Sequence, residues 1–88
     1  MDKNYFDDLQ LFHFNACPYC LKVRIAMKYM GIDMLRKNIK ENPEHRCELV
    51  ECGGKKQVPC LRIQEHDGVN WLYESSDIIR YLSKRAAS

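Results

Sequence analysis

Two cysteines three residues apart, in the run Cys17-Pro18-Tyr19-Cys20, are the residues whose types and spacing could do chemistry. On a helix, positions i and i+3 bring side chains within about 5–6 Å, a span a disulfide can bridge. Pro18 suits the first helical position, where its missing N–H costs nothing. Cys17 then falls at or beside the N-cap, facing amide hydrogens that have no intrahelical acceptor. Those donors and the helix dipole favour an anion. In such surroundings a cysteine pKa falls from ~8.5 into the range of about 3.5–7.5. Lys22 and Arg24 add positive charge within the next turn or two. Cys17 is therefore expected to be the nucleophilic thiolate. Cys20, one turn deeper, is expected to be less exposed and less ionised, and to resolve what Cys17 captures.

A zinc site is the competing chemistry for such a pair, but it needs a second pair at similar spacing. Cys47 and Cys52 with His45 match that poorly, because a helix over 43–52 would spread them around its surface. Cys60 reads as a small core residue. His13, His45 and His66 show no catalytic spacing, and no metal is expected.

The elements that must position the pair can be read from periodicity. Leu9 to Phe14 alternates roughly in apolarity and predicts a strand. From Pro18 to Met30 a helix is predicted, with Val23, Ala26, Met27 and Met30 on one face and Gly31 ending it. Met34 to Ile39 is a weak second strand. Pro43 starts a second helix to about Cys52, stopped by Gly53-Gly54. Leu61 to Ile63 and Val69 to Tyr73 form a hairpin around His66-Asp67-Gly68. Ser75, Ser76 and Asp77 supply cap and first-turn residues for a last helix with Ile78, Ile79 and Leu82 as its buried stripe. The order predicts an α/β fold: a parallel pair joined by a crossover helix, an antiparallel hairpin, and helices on both sheet faces.

The 88 residues suffice for one small domain spanning the whole chain, 1–88. A domain this small has a modest core, so a ligand is expected in a surface groove. The net charge of +2 comes from interspersed residues with no basic block, which gives nucleic-acid binding no support. No apolar run approaches the ~18–20 residues of a membrane span. The polar start, Met1-Asp2-Lys3-Asn4, leads into no signal-peptide core. Five cysteines, an odd number, argue against a secreted disulfide scaffold. A cytoplasmic protein is expected.

With these residues in view, the sequence resembles the glutaredoxin family. Cys17-Pro18-Tyr19-Cys20 is similar to the active-site tetrapeptide of its dithiol members. The resemblance continues through Gln57-Val58-Pro59 and Glu74-Ser75-Ser76-Asp77. The wider runs Cys17 to Lys22, Lys56 to Pro59 and Glu74 to Ile78 look closest to the bacterial glutaredoxins related to glutathione transferases. Members of that branch carry a second, all-helical domain, which is expected to be absent here.

The resemblance implies a thioredoxin-like fold, a central four-stranded mixed sheet flanked by three helices. It implies a cis Val58–Pro59 bond that aims the Val58 backbone at the cysteines, so that glutathione can pair there as an added strand. It puts the γ-glutamyl carboxylate at the start of the last helix, on Ser75 and Ser76, with Asp77 or Glu74 on the α-amino group. Lys56, with Lys55 and Gln57 beside it, becomes the candidate for the glycine carboxylate. Tyr19 becomes a wall of the groove. Many family members have a lysine just before the first cysteine; here His13-Phe14-Asn15-Ala16 stands instead.

The function so implied is glutathione-dependent reduction of protein–glutathione mixed disulfides and protein disulfides through Cys17 and Cys20. Glutathione is the co-substrate, glutathionylated or disulfide-bearing proteins are the partners, and a monomer is the expected state. Two alternatives stand beside it. One is an iron–sulfur carrier holding a cluster between two Cys17 residues and two glutathiones, against which Pro18 and the second cysteine argue. The other is a non-catalytic, transferase-like interaction module.

Overall fold

The computed structural model describes residues 4–87. Its elements run β1 (Asn4–His13), α1 (Pro18–Met30), β2 (Ile32–Asn38), α2 (Pro43–Gly53), β3 (Cys60–Glu65), β4 (Gly68–Leu72) and α3 (Ser75–Ala87). The four strands form one sheet in the order β2-β1-β3-β4. β1 and β2 are parallel, as a crossover through α1 requires, while β1–β3 and β3–β4 are antiparallel. This is the thioredoxin-like arrangement of a four-stranded mixed sheet with three helices.

Alternation along the strands sends apolar side chains to both faces, and each face is covered. Leu9 and Leu11 of β1 and Leu61 and Ile63 of β3 pack with Val23 and Met27 of α1 and Ile78 and Leu82 of α3. The opposite parity, Phe12 of β1 and Cys60 of β3, packs with Leu49 of α2 and with Trp71. The Phe12 and Trp71 rings lie 5.6 Å apart between centroids, tilted by 43°. Burying a Leu, Ile or Phe contributes about 1.5–3 kcal/mol, so these two layers hold the sheet between its helices.

β1 begins at Asn4, well before the alternation that starts at Leu9. Asn4 and Tyr5 pair with Ile32 and Asp33 of β2, and the register shifts before Gln10 meets Leu35. Residues 4–8 show no alternation, with Tyr5 and Phe6 side by side ahead of Asp7 and Asp8, so this pairing is supplied by the neighbouring strand. β2 likewise starts two residues earlier than expected, at Ile32, directly after Gly31. Gly31 ends α1 at φ 70°, a left-handed conformation suited to glycine, and its N–H returns to the carbonyls of Lys28 and Met27. At the other end of the chain, Arg85 of α3 spans Asp8 of β1 with contacts of 2.9 and 3.3 Å. That two-pronged pair clips the last helix to the first strand.

Candidate active site

Cys17 is the N-cap of α1, with φ −81° and ψ 120°, and Pro18 opens the helix behind it. The Cys20 amide donates to Cys17 Sγ at 3.4 Å, and the Leu21 amide closes the first turn on the Cys17 carbonyl at 3.0 Å. A helix-start amide therefore points at the sulfur, as the Cys-Pro-Tyr-Cys spacing predicts. Cys17 Sγ also lies 4.0 Å from the Val58 carbonyl oxygen, across the chain fold. The Val58–Pro59 bond is cis, in line with the expectation from the resemblance.

The loop before Cys17 is held from two sides. Arg24, one and a half turns into α1, reaches back to Asn15 Oδ1 at 3.3 Å and to its carbonyl at 3.5 Å. The Cys17 amide donates to the Phe14 carbonyl at 3.3 Å. Behind the loop, His13 is buried with its Nδ1 unpaired. Burial, with the nearby charges of Arg24 and Arg36, lowers its pKa from 6.5 to about 4.

The thiols of Cys17 and Cys20 differ in access. Cys17 is 7% exposed, whereas Cys20 is wholly buried. Burial pushes the Cys20 thiol up from 9.0 to about 12, with hydrogen bonding and charge from Cys17 adding to it. Cys60, next to Pro59, is wholly buried, and desolvation raises it to about 12 as well, partly offset by a hydrogen bond with Tyr73. Cys47 and Cys52 are exposed on α2, and none of the five cysteines is disulfide-bonded.

A cleft of about 200 Å³ opens between these elements, lined by Tyr19, Gln57, Val58, Pro59, Tyr73, Glu74 and Ser75. It gathers the residue after the helix-capping pair, the loop around the cis bond and the start of α3. Tyr19, 63% exposed, stands at its edge. Ser76 and Asp77 do not line it; Asp77 instead pairs with Arg80 at 3.1 Å along α3. Lys56 lies in a different cleft, with Lys40 and Arg46. Ser75 is the first residue of α3, and Glu74 takes the cap position, its carbonyl accepting the Ile78 amide at 2.9 Å. The free amides of that first turn belong to a helix of 13 residues, so they present a full-length dipole to the cleft.

Tyr73 is the lining residue that reasoning from sequence missed. It follows β4 on the same parity as Trp71, which was the available signal. Its hydroxyl donates to the Gly53 carbonyl at the end of α2, and Lys55 lies over its ring at 5.1 Å. Desolvation, then Cys60, raises its pKa. Gly53 is needed for this approach, because a Cβ there would stand 2.6 Å from the Tyr73 hydroxyl and 3.0 Å from Trp71.

Residues 16–85, from just before Cys17 to the last turn of α3, match the family described as glutathione S-transferase, N-terminal domain. The chain belongs to that family. Among curated relatives of this glutathione S-transferase N-terminal domain, Glutaredoxin 2 of Escherichia coli K12 is 32% identical over 77 residues, 86% of this chain. The chain spans about a third of the length of that relative, 33%. Two solved structures share the fold. A maleylacetoacetate isomerase from Anaeromyxobacter dehalogenans, with glutathione bound in its active site, aligns at a TM-score of 0.68 and 18% identity over 94% of this chain and 40% of its own. A wheat glutaredoxin aligns at 0.64 and 20% identity over 88% of this chain and 71% of its own.

Proposed function

We propose that this protein is a glutathione-dependent thiol–disulfide oxidoreductase that works through Cys17 and Cys20 in a reducing, cytoplasmic setting. The observation that carries the reading is the sulfur of Cys17, which caps α1, accepts the Cys20 amide and faces the Val58 carbonyl beside the cleft. The 32% identity to Glutaredoxin 2 and the glutathione held by the isomerase support glutathione as co-substrate.

In this reading glutathione lies extended along Val58, with its γ-glutamyl carboxylate on the amides of Ser75 and Ser76. Glu74, which lines the cleft, is better sited for the α-amino group than Asp77, which is engaged by Arg80. Lys56, with Lys40 and Arg46 near it, supplies positive charge for the glycine carboxylate. The Cys17 thiolate attacks the glutathione sulfur of a mixed disulfide. The disulfide bond between glutathione and the substrate protein breaks, the protein thiolate leaves and takes a proton, and Cys17 holds glutathione in a new disulfide. A second glutathione thiolate attacks that sulfur, releasing glutathione disulfide and the Cys17 thiolate. With a protein disulfide, Cys17 attacks first; Cys20 then displaces the product, leaving a Cys17–Cys20 disulfide that two glutathiones reduce.

The test is turnover of a glutathionylated peptide, coupled to glutathione reductase. Cys17→Ser abolishes it, while Cys20→Ser keeps deglutathionylation and loses dithiol reduction. Equal loss in both variants would contradict the assigned roles, and an inactive wild-type protein would leave a non-catalytic module.

A further inference from the structure

Tyr73 stands where the two halves of the cleft meet. It lies between β4 and α3, and Glu74 and Ser75, which follow it, form one wall. The other wall, Gln57 to Pro59, belongs to the segment 54–59 between α2 and β3. That segment has little bonding of its own. Gly54 returns its amide to the Val50 carbonyl, and among the described residues none of 55–58 makes a backbone–backbone hydrogen bond. Yet the segment carries the Val58 carbonyl, which lies 4.0 Å from Cys17 Sγ. The side chain of Tyr73 reaches across to it. The Tyr73 hydroxyl donates to the Gly53 carbonyl, where the segment begins, and the Lys55 amide faces the same oxygen. The Lys55 ammonium lies over the Tyr73 ring at 5.1 Å. Tyr73 and Val58 both pack against the buried cluster of Phe12, Leu49 and Cys60. Cys60, wholly buried, adds a hydrogen bond to the hydroxyl.

We propose that Tyr73 is a positioning residue, whose hydroxyl ties the 54–59 segment to the start of α3 and so sets the distance between the Val58 backbone and the Ser75 amide. The inference rests on the glutathione reading above, in which those two groups hold the two ends of an extended tripeptide. The hydroxyl is committed to Gly53, so it acts through the segment and touches no reacting atom. What Tyr73 presents to the cleft is its ring. Without the hydroxyl, the Gly53 carbonyl loses its side-chain donor and the segment is freer to drift. Small drifts are costly where one ligand must meet two fixed groups at once. Attack by Cys17 on a disulfide that lacks the tripeptide needs only the start of α1, which Tyr73 does not hold.

Two readouts separate this role from a merely structural one. Calorimetry follows binding of S-methylglutathione, whose thiol is blocked. Absorbance follows the reaction of Cys17 with dithiodipyridine, a small disulfide without the tripeptide, with Cys47 and Cys52 replaced by serine because both are exposed. Tyr73→Phe keeps the ring and is expected to weaken S-methylglutathione roughly tenfold while leaving the dithiodipyridine rate unchanged. Gly53→Ala, whose Cβ would stand 2.6 Å from the same hydroxyl, is expected to give the same split from the other side. Unchanged tripeptide binding in both variants would overturn the proposal. So would a dithiodipyridine rate that shifts along with the binding, the mark of a loosened fold. Turnover of a glutathionylated peptide tells the two readings apart. A wild-type chain that shows the split without turnover would sink the redox reading and leave the role of Tyr73 standing. Turnover with no split would do the reverse, and a wild-type chain that neither binds nor turns over would overturn both.

Discussion

Replacing Cys17 by serine leaves Cys20 as the remaining thiol of the Cys17–Cys20 pair, and its reactivity can be worked out beforehand. Cys20 is wholly buried, and desolvation is the main reason its pKa rises from 9.0 to about 12. The hydrogen bond and charge of Cys17 add to the rise, but the larger cause survives the substitution. A rise from 9.0 to about 12 lowers the thiolate fraction near neutral pH roughly a thousandfold, or about 4 kcal/mol at 1.36 kcal/mol per pH unit. Only the thiolate is nucleophilic. Iodoacetamide labelling, followed peptide by peptide in the folded variant, should therefore modify Cys20 more slowly than a free thiol of ordinary pKa, by up to about three orders of magnitude, the part of the rise owed to Cys17 being lost. The rate should climb about tenfold per pH unit through the alkaline range without levelling near 9.0. In urea the same residue should label fast. If Cys20 in the folded Cys17→Ser variant reacted within about tenfold of a free thiol, or levelled off near 9.0, burial would not be suppressing its ionisation. The division between attacking and resolving sulfur would then lose its physical basis.

Two other outcomes follow from the same structure. Gly53→Ala places a Cβ 2.6 Å from the Tyr73 hydroxyl and 3.0 Å from Trp71, so urea denaturation should show a loss of about 1–3 kcal/mol; because Tyr73 lines the cleft, the KM for glutathione should rise more than kcat falls. His13 has a folded pKa of about 4 against 6.5 unfolded, so between those values the unfolded state binds the extra proton. The stability that His13 contributes is thus complete above 6.5 and drains away as pH falls towards about 4, by up to about 3 kcal/mol. His13→Gln should flatten that part of the pH dependence of the urea midpoint, and an unchanged slope would refute the assignment.

The place of Cys17 at a helix start, and the helix itself, were legible in the chain because their determinants are local. A proline after Cys17, a glycine after Met30 and apolar positions at helical spacing set α1, and the structure keeps those bounds at Pro18 and Met30. The order of the elements, the parallel pair joined through α1 and the β3–β4 hairpin were legible too, since they follow from periods and turns along the chain, whereas the place of β3 beside β1 was not. What the tertiary structure decided is long-range. The first residues of β1, Asn4 to Asp8, do not alternate, and pairing with β2 makes them a strand. Tyr73 enters the cleft because the end of α2 closes on it through the Gly53 carbonyl, 20 residues away in the chain. Lys56 and Gln57 are neighbours in sequence, yet they line different clefts. Spacing along the chain dictates which side chains share a helix face or a strand face, because those periods are properties of the backbone alone. Which faces then meet depends on how helices and sheet pack together, and that is settled by contacts between residues far apart in sequence.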